Sequence, residues 1–210
     1  MLISTDFYYV TIDPYLIMSV TMLFYYLGFK VLRKRMSTIK IQKTSITKLH
    51  TNAIVNAANT GLLHGSGVCG YIFREAGVQE MTTACNKIGH CDEGQAVITP
   101  GFNLPAKYVI HTVGPRWFGG NRNEPELLYS AYKQSLLLAK ENAIHSIGFP
   151  LISAGIFGYP VDKAWDVAIR ACRDFISEHA DYEIEIIFAV LDDEIMKMGE
   201  ETYARIWINK

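Results

Sequence analysis

Strand-like and helix-like segments alternate along most of this chain. Short apolar runs rich in β-branched residues, which are typical of buried strands, lie at 39–41, 53–56, 96–99, 108–113, 146–152 and 184–191. Segments whose apolar residues recur at every third or fourth position, which are typical of helices, lie at about 69–76, 80–87, 124–142, 161–180 and 193–206. Such alternation predicts an α/β fold in which a mostly parallel sheet lies between layers of helices.

The composition is that of a folded protein without a broad affinity for polyanions. Of the 210 residues, 50% are apolar and 20% are charged, which provides for a buried core and is unlike a disordered chain. Lysine and arginine number 20 and acidic residues 21, so the formal net charge is -1. Because domains that bind nucleic acid are usually basic, we expect no nucleic-acid partner.

The cysteines indicate neither a disulfide framework nor a metal site. Cys69, Cys85, Cys91 and Cys172 form no CxxC pair, and their spacing is unlike that of a short secreted protein. His90 could join Cys85 and Cys91 around a metal ion, but no fourth ligand is evident. We therefore expect no bound metal and a reduced, intracellular setting.

Residues 1–35 differ from the rest because they carry a long apolar run. Positions 14–32 contain a single charge, Lys30, and the basic cluster 33–35 follows directly. A membrane-spanning helix needs about 20 apolar residues, and a basic cluster marks its cytoplasmic end. Three interpretations stay open: a membrane anchor, an extension that packs on the domain, and an upstream stretch that is not normally translated. We divide the chain into this extension and a domain at 36–210, and expect a cytoplasmic protein that the run 14–32 could tether to a membrane.

Two glycine-rich loops each follow a predicted strand and open a predicted helix. They are NAANTGLLHGSGVCG at 56–70 and SAGIFGYP at 153–160. Glycine lets the main chain approach a ligand, and a helix N-terminus attracts anions. Loops of this kind meet at the carboxyl ends of parallel strands, so we expect them to grip a diphosphate. The P-loop pattern is absent and no strict GxGxxG follows the first strand, which argues against a nucleotide triphosphatase or a dinucleotide-dependent dehydrogenase.

The sequence resembles the macrodomain family in three stretches. They are IVNAANTGLLHGSGVCGYIFREAG, AVITPGFNLPAKYVIHTVGP and PLISAGIFGYP, and the similarity extends over residues 37–206. It is closest to the branch that includes bacterial O-acetyl-ADP-ribose deacetylases and mono-ADP-ribosyl hydrolases. The resemblance implies a three-layer α/β/α sandwich with a mixed, mostly parallel central sheet. It also implies hydrolysis without a cofactor, with ADP-ribose, its O-acyl derivatives or a mono-ADP-ribosylated protein as the partner.

The resemblance further implies roles for individual residues. The first diphosphate loop would consist of Gly65, Ser66, Gly67, Val68 and Cys69. The second would consist of Ser153, Ala154, Gly155, Ile156 and Phe157. Asn59 would hydrogen-bond the distal ribose, and the ring of Phe157 would lie against that sugar. Asn56, at the end of the strand, is interpreted as a structural brace of the first loop.

Two departures from the family pattern affect catalysis. Family hydrolases commonly carry GGGGVDG where this chain has HGSGVCG, so Cys69 replaces the aspartate proposed to orient or activate water. A helix N-terminus favours a thiolate, which would allow a nucleophilic or base role, although free cysteine often acts as a small apolar side chain. His64 replaces a glycine and would either lie near the reacting centre, with an imidazole that titrates near neutral pH, or simply be exposed. Asn59, His64 and Cys69 are thus the candidate catalytic residues.

A third departure concerns the adenine base. Many family members have Gly-Asp-Ile-Thr where this chain has Thr-Ser-Ile-Thr at 44–47. Ser45 therefore replaces the aspartate that accepts a hydrogen bond from the adenine amino group. A hydroxyl still accepts, but without charge the contact is weaker. Ile46 and Leu191 are expected to be apolar neighbours of the base.

Two functions stay open at this point. One is an enzyme that hydrolyses ADP-ribosyl esters or O-acetyl-ADP-ribose, and the other is a reader module that binds ADP-ribose without turnover. Similarity to the hydrolytic branch favours the enzyme, whereas Cys69 in place of an aspartate favours the reader.

Overall fold

The computed structural model describes residues 36–207, which form a sheet of six strands with helices on both faces. The strands are β1 (Thr38–Lys43), β2 (Ala53–Ala57), β3 (Ala96–Pro100), β4 (Tyr108–Thr112), β5 (Ser146–Phe149) and β6 (Glu185–Val190). The helices are α1 (Gly67–Ala76), α2 (Val78–Ile88), α3 (Glu124–Glu141), α4 (Val161–Glu178) and α5 (Asp193–Trp207), with a short 3-10 helix at Ile46–Lys48. The predicted three-layer α/β/α sandwich is confirmed.

The sheet is mixed and mostly parallel, as the resemblance implied. Its strand order is β1-β6-β5-β2-β4-β3. All neighbouring strands run parallel except β3 and β4, which pair antiparallel at one edge. The carboxyl ends of β2 and β5 therefore lie side by side, and the loops that follow them open at the same end of the sheet. This topology brings the two glycine-rich loops together.

Two hydrophobic cores hold the sheet between its helices. Successive residues of a strand point to opposite faces, so neighbours in β2 enter different cores. Val55 packs in the core that contains Tyr132 of α3 and Trp165 of α4. Ile54 packs in the opposite core with Phe73 of α1. Each fully buried large apolar side chain stabilises the fold by about 1.5–3 kcal/mol. The helix layers therefore hold the strands firmly, and the strand ends fix where the loops begin.

Two of the boundaries that differ from the predicted ones lie at the glycine-rich loops. The fifth strand is predicted over 146–152 but ends at Phe149. Pro150 has no N–H for the sheet, and the chain then turns, with the N–H of Ala154 bonded to the carbonyl of Leu151 at 3.4 Å. The first predicted helix begins at Gly67 rather than at position 69. Residues 150–152 consequently belong to the loop.

The prediction of a cytoplasmic protein with a membrane tether needs correction. Within residues 36–207, no helix is long and apolar enough to cross a membrane. The longest helices there, α3 and α4, are amphipathic and carry charged residues on their outer faces. The apolar run 14–32, on which the tether and its two alternatives rested, lies outside the described residues, so no tethering segment is shown. The division of the chain at residue 36 stays a prediction.

Candidate functional site

A cavity of about 360 Å³ opens at the carboxyl ends of β2 and β5. Asn59 and residues 65–69 line one side, and Ser153 with residues 155–157 lines the other. Among residues 36–207, no charged side chain contributes to the lining. The size suits a small-molecule ligand, and the uncharged walls favour one that binds through the main chain.

The main chain of both loops carries unused hydrogen-bond donors. Within the described part of the chain, the backbone N–H groups of residues 65–69 have no acceptor, and neither do those of residues 155–157. Residues 67–69 form the first turn of α1, where the helix dipole adds partial positive charge. All of these donors belong to residues that line the cavity. The arrangement can therefore hold an anion without a cationic side chain.

Close approaches of the main chain shape the first loop. A Cβ atom on Gly70 would lie 2.7 Å from the carbonyl oxygen of Gly65, so only glycine fits at this position without a shift of the loop. Gly67 has a φ of +59°, which glycine adopts at little cost. A Cβ atom on Gly67 would lie 3.4 Å from Cδ1 of Ile156 in the second loop. The two loops thus meet across the mouth of the cavity.

Asn59 lines the cavity, but its amide is already bonded to the first loop. Its Nδ2 donates to the carbonyl oxygen of Leu63 at 2.8 Å, and its Oδ1 accepts from the N–H of Leu63 at 2.9 Å. These bonds close a turn and hold the entrance of the loop. One amide hydrogen and one lone pair remain for a ligand. The predicted contact of Asn59 with a ribose stays a prediction.

Cys69 lies at the end of a buried chain of polar groups. It is 4% exposed, and its Sγ lies 3.6 Å from Nδ2 of Asn56 and 3.8 Å from the carbonyl oxygen of Leu63. The same Nδ2 lies 3.1 Å from Nδ1 of His111, whose Nε2 lies 2.9 Å from Oγ1 of Thr99. Burial lowers the pKa of His111 to about 4, so the ring is neutral and its Nδ1 accepts from Asn56. The chain of bonds fixes the Asn56 amide against the thiol.

The residues predicted to contact adenine do not line the cavity. Ile46 is buried in the core, and Leu191 is 72% exposed. The hydroxyl of Ser45 is 2.9 Å from the hydroxyl of Thr47. Because these residues follow the carboxyl ends of β1 and β6, which run parallel to β5 and β2, they lie at the same end of the sheet as the cavity but outside its walls. Their predicted contacts with the base stay predictions.

Two further predicted site residues also lie outside the lining. His64 is exposed, and its ring packs edge-on against Phe73 with 5.3 Å between the ring centres. Ala154 is half-buried and precedes the residues of the second loop that line the cavity. The structure thus brings together Asn59, Cys69 and both glycine-rich turns, but it leaves the imidazole of His64 outside the cavity walls.

Several lining residues were absent from the sequence prediction. Ala57, Ala58, Gly114 and residues 150–152 all contribute to the walls. Ala57 ends β2 and Ala58 follows it, and both lie in the predicted loop 56–70, so their position was a usable signal. Gly114 lies in the HTVGP stretch after β4, and nothing in its local sequence indicates that it approaches the second loop. Residues 150–152 were missed because they were assigned to a strand.

Among residues 36–207, the cysteines and the other metal-binding residue types form no metal site. Cys69, Cys85, Cys91 and Cys172 are all free and buried. Residues 36–207 contain no group of three or more His, Cys, Asp or Glu side chains arranged to hold a metal ion. The chemistry of the cavity in this part of the chain therefore depends on the main chain and uncharged side chains.

Comparison with known proteins identifies the family. Residues 55–168, more than half of the chain, match the family model described as Macro domain. The chain belongs to the macro domain family. The resemblance seen in the three motifs is therefore confirmed.

Named relatives and solved structures of macrodomains share most of this chain. The O-acetyl-ADP-ribose deacetylase of Salmonella typhimurium is 46% identical over 174 residues, which cover 81% of this chain and 94% of that protein. A structure described as the Oceanobacillus iheyensis macrodomain with ADP has a TM-score of 0.78 at 33% identity, covering 83% of this chain and 94% of that one. The Trypanosoma brucei macrodomain in complex with ADP-ribose has a TM-score of 0.72 at 39% identity, covering 78% of this chain and 68% of that one.

Proposed function

We propose that this macrodomain binds ADP-ribose in the cavity and hydrolyses an ester bond to its distal ribose, in O-acetyl-ADP-ribose or in an ADP-ribosylated protein. The observation that carries the proposal is the pair of main-chain segments, 65–69 and 155–157, whose N–H groups have no acceptor among the described residues. A diphosphate offers oxygen acceptors to both segments at once. Binding through neutral donors also agrees with the uncharged walls of the cavity.

Hydrolysis of such an ester needs water placed against the acyl carbon. Water adds its oxygen to that carbon, the bond from the acyl carbon to the ribose oxygen breaks, and the ribose oxygen takes up a proton. The products are the free acid and ADP-ribose. In this proposal the two loops fix the diphosphate, Asn59 and Phe157 fix the distal ribose, and positioning supplies most of the rate. The name of the Salmonella relative, O-acetyl-ADP-ribose deacetylase, supports this activity.

The alternative function is a reader that binds ADP-ribose without turnover. The specific observation in its favour is Cys69, a buried thiol whose Sγ is within reach of Asn56 and Leu63 at a position where a carboxylate was expected. A thiol held in this way does not activate water as a carboxylate does. The proposed function therefore separates into binding, which both alternatives share, and hydrolysis, which only the enzyme performs.

One experiment separates these alternatives. The full-length protein and the variants Cys69→Ala, Cys69→Asp and Asn59→Ala are compared for ADP-ribose affinity by calorimetry, and for release of acetate from O-acetyl-ADP-ribose and of ADP-ribose from a modified protein. We expect wild type to release product above a heat-inactivated control, and Asn59→Ala to release less. If wild type binds ADP-ribose tightly but releases no product, and Cys69→Asp does release product, the protein is a reader derived from a hydrolase. Absence of both binding and turnover in wild type would refute the proposed function.

A further inference from the structure

Three aromatic rings, one of which lines the cavity, each lie under a cation. The pairs are Arg116 with Phe157, Arg122 with Phe118, and Lys163 with Trp117. The cation lies 5.2, 4.4 and 5.1 Å from the ring centre, respectively, which is within the range of a cation–π interaction. We call these six residues the basic–aromatic rim.

The rim is continuous with the second loop of the cavity. Phe157 lines the cavity and also lies under Arg116. The N–H of Trp117 donates to the carbonyl oxygen of Phe157 at 2.9 Å. The Trp117 ring also packs on Tyr159, with 4.6 Å between the ring centres. The rim therefore begins where the wall of the cavity ends.

A buried carboxylate binds the main chain of residues 118–122, which we call the rim segment. Glu124, at the start of α3, is 1% exposed and accepts hydrogen bonds from the N–H groups of Phe118, Gly120 and Arg122. Burial alone would raise the pKa of Glu124, but the backbone hydrogen bonds outweigh it and lower the pKa to about 2. The carboxylate is thus ionised at neutral pH and bound to the main chain. Its charge is committed to the backbone of the rim segment.

The three cations of the rim have no carboxylate partner in the described part of the chain. Arg116, Arg122 and Lys163 are exposed, and none forms an ion pair there. Elsewhere in the same part, other cations do so, as Lys133 does with Glu178 at 3.0 Å. A guanidinium that stacks over a ring still has free N–H groups along its edge. These N–H groups can donate two parallel hydrogen bonds to one carboxylate. These cations give the surface three positive charges, against the exposed Asp162 beside Lys163 and the carboxylate of Glu124, which is buried and already bound to the main chain.

We propose that the basic–aromatic rim binds the acidic polypeptide segment that surrounds an ADP-ribosylated residue. The proposal rests on the proposed function, in which Phe157 lies against the distal ribose. A polypeptide attached to that ribose leaves the cavity past Phe157 and meets Arg116 first. Single-stranded nucleic acid fits less well because it needs open aromatic faces for its bases, and each ring of the rim has a face covered by a cation.

The test compares ligands that share ADP-ribose and differ in what is attached. Two synthetic peptides of equal length carry one ADP-ribose through a hydrolysis-resistant linkage, flanked by glutamates in one and by serines in the other. Calorimetry on the full-length protein at low ionic strength gives their affinities and that of free ADP-ribose. We expect the glutamate peptide to bind about tenfold more tightly than the serine peptide, and added salt to remove most of the difference.

Variants of the rim test whether its cations cause the tighter binding of the glutamate peptide. The double variant Arg122→Gln/Lys163→Gln should bind both peptides with affinities within about twofold of each other. Its affinity for free ADP-ribose should not change, because neither residue is part of the cavity lining. Arg122→Lys, which keeps the charge, should retain most of the preference. The matched control Lys107→Gln/Lys140→Gln removes the same charge just before β4 and at the end of α3, near the amino ends of the strands, and should keep the full preference.

The outcomes distinguish this proposal from the proposed function. Equal affinities for both peptides, with free ADP-ribose bound normally, would refute the rim alone. A third ligand is a single-stranded oligonucleotide with a terminal ADP-ribose. If the cations of the rim raise its affinity more than that of the glutamate peptide, the proposal is refuted and the rim is a nucleic-acid surface instead. Failure of wild type to bind free ADP-ribose would refute the proposed function and the rim proposal together.

Discussion

The hydroxyl of Ser153 faces the main chain of Gly114 so closely that a Cβ atom on Gly114 would lie 2.3 Å from Oγ. Ser153 is 6% exposed, and its Oγ has no hydrogen-bond partner among the described residues. Its φ of 65° is in the left-handed region, which residues other than glycine rarely adopt. A buried polar group without a partner costs about 1–3 kcal/mol, and Ser153 lines the cavity. These costs are explained if the hydroxyl binds the ligand.

Replacement of Ser153 by alanine should therefore weaken binding without loss of stability. We expect Ser153→Ala to melt at the wild-type temperature or higher, because it removes an unpaired hydroxyl. Its Kd for ADP-ribose should rise about fivefold to tenfold, the equivalent of about one hydrogen bond. Calorimetry and thermal unfolding check the two effects separately.

A serine with a bonded hydroxyl provides the matched control. Ser130 donates to the carbonyl oxygen of Gly94 at 2.8 Å. Ser130→Ala should lower the free energy of unfolding by about 1 kcal/mol and leave the Kd for ADP-ribose unchanged. The opposite pattern for Ser153→Ala, with lower stability and an unchanged Kd, would show that its hydroxyl serves the fold.

A methyl group on Gly70 should disrupt the first loop. Its Cβ would lie 2.7 Å from the carbonyl oxygen of Gly65, so the loop must move. We expect Gly70→Ala to raise the Kd for ADP-ribose at least about tenfold, since displaced N–H groups no longer meet the diphosphate. The control is Gly89→Ala, which has open space but a φ of +85°. It should lose about 1 kcal/mol of stability and bind normally. Equal affinities for both variants would contradict the role of the loop.

Acid should loosen the rim segment through Glu124. Its pKa is about 2 in the folded protein and 4.5 in the unfolded chain, so its stabilising contribution is complete above pH 4.5. As the pH falls from 4.5 towards 2, that contribution disappears. Glu124→Gln lacks the charge at every pH. Denaturant unfolding should show wild type more stable than Glu124→Gln at neutral pH, with a difference that narrows in this acid range. A difference in stability that stays constant between pH 4.5 and 2 would show that the charge of Glu124 does not stabilise the fold.

The strands could be predicted well because their signal is local. Buried runs such as 53–56 and 184–191 are apolar apart from Asn56 and Glu185, and the structure extends or trims them by only one residue at an end, to Ala53–Ala57 and Glu185–Val190. The one larger error, the extension of β5 to residue 152, came from apolar residues that line the cavity instead of a sheet. Apolar composition alone cannot distinguish these two kinds of burial.

The candidate site was only partly predictable for a different reason. The glycine-rich loops have a local signature, and most of the residues assigned to them line the cavity. The contacts between Asn56 and His111 and between Gly114 and Ser153 join residues far apart in the chain, so no spacing rule reveals them. The rim could not be predicted from the sequence for the same reason. Lys163 of α4 and Trp117, in the loop after β4, are far apart in the chain and meet only in the folded protein.

The most direct measurement is a titration of the isotope-labelled protein with ADP-ribose, followed through its backbone amide resonances. If main-chain donors of two loops hold the diphosphate, the amides of residues 65–69 and 155–157 should shift together and saturate at the same ligand concentration. Amides at the amino ends of the strands should stay in place. If the amides of both loops remain unmoved at millimolar ligand, the account of this cavity is wrong.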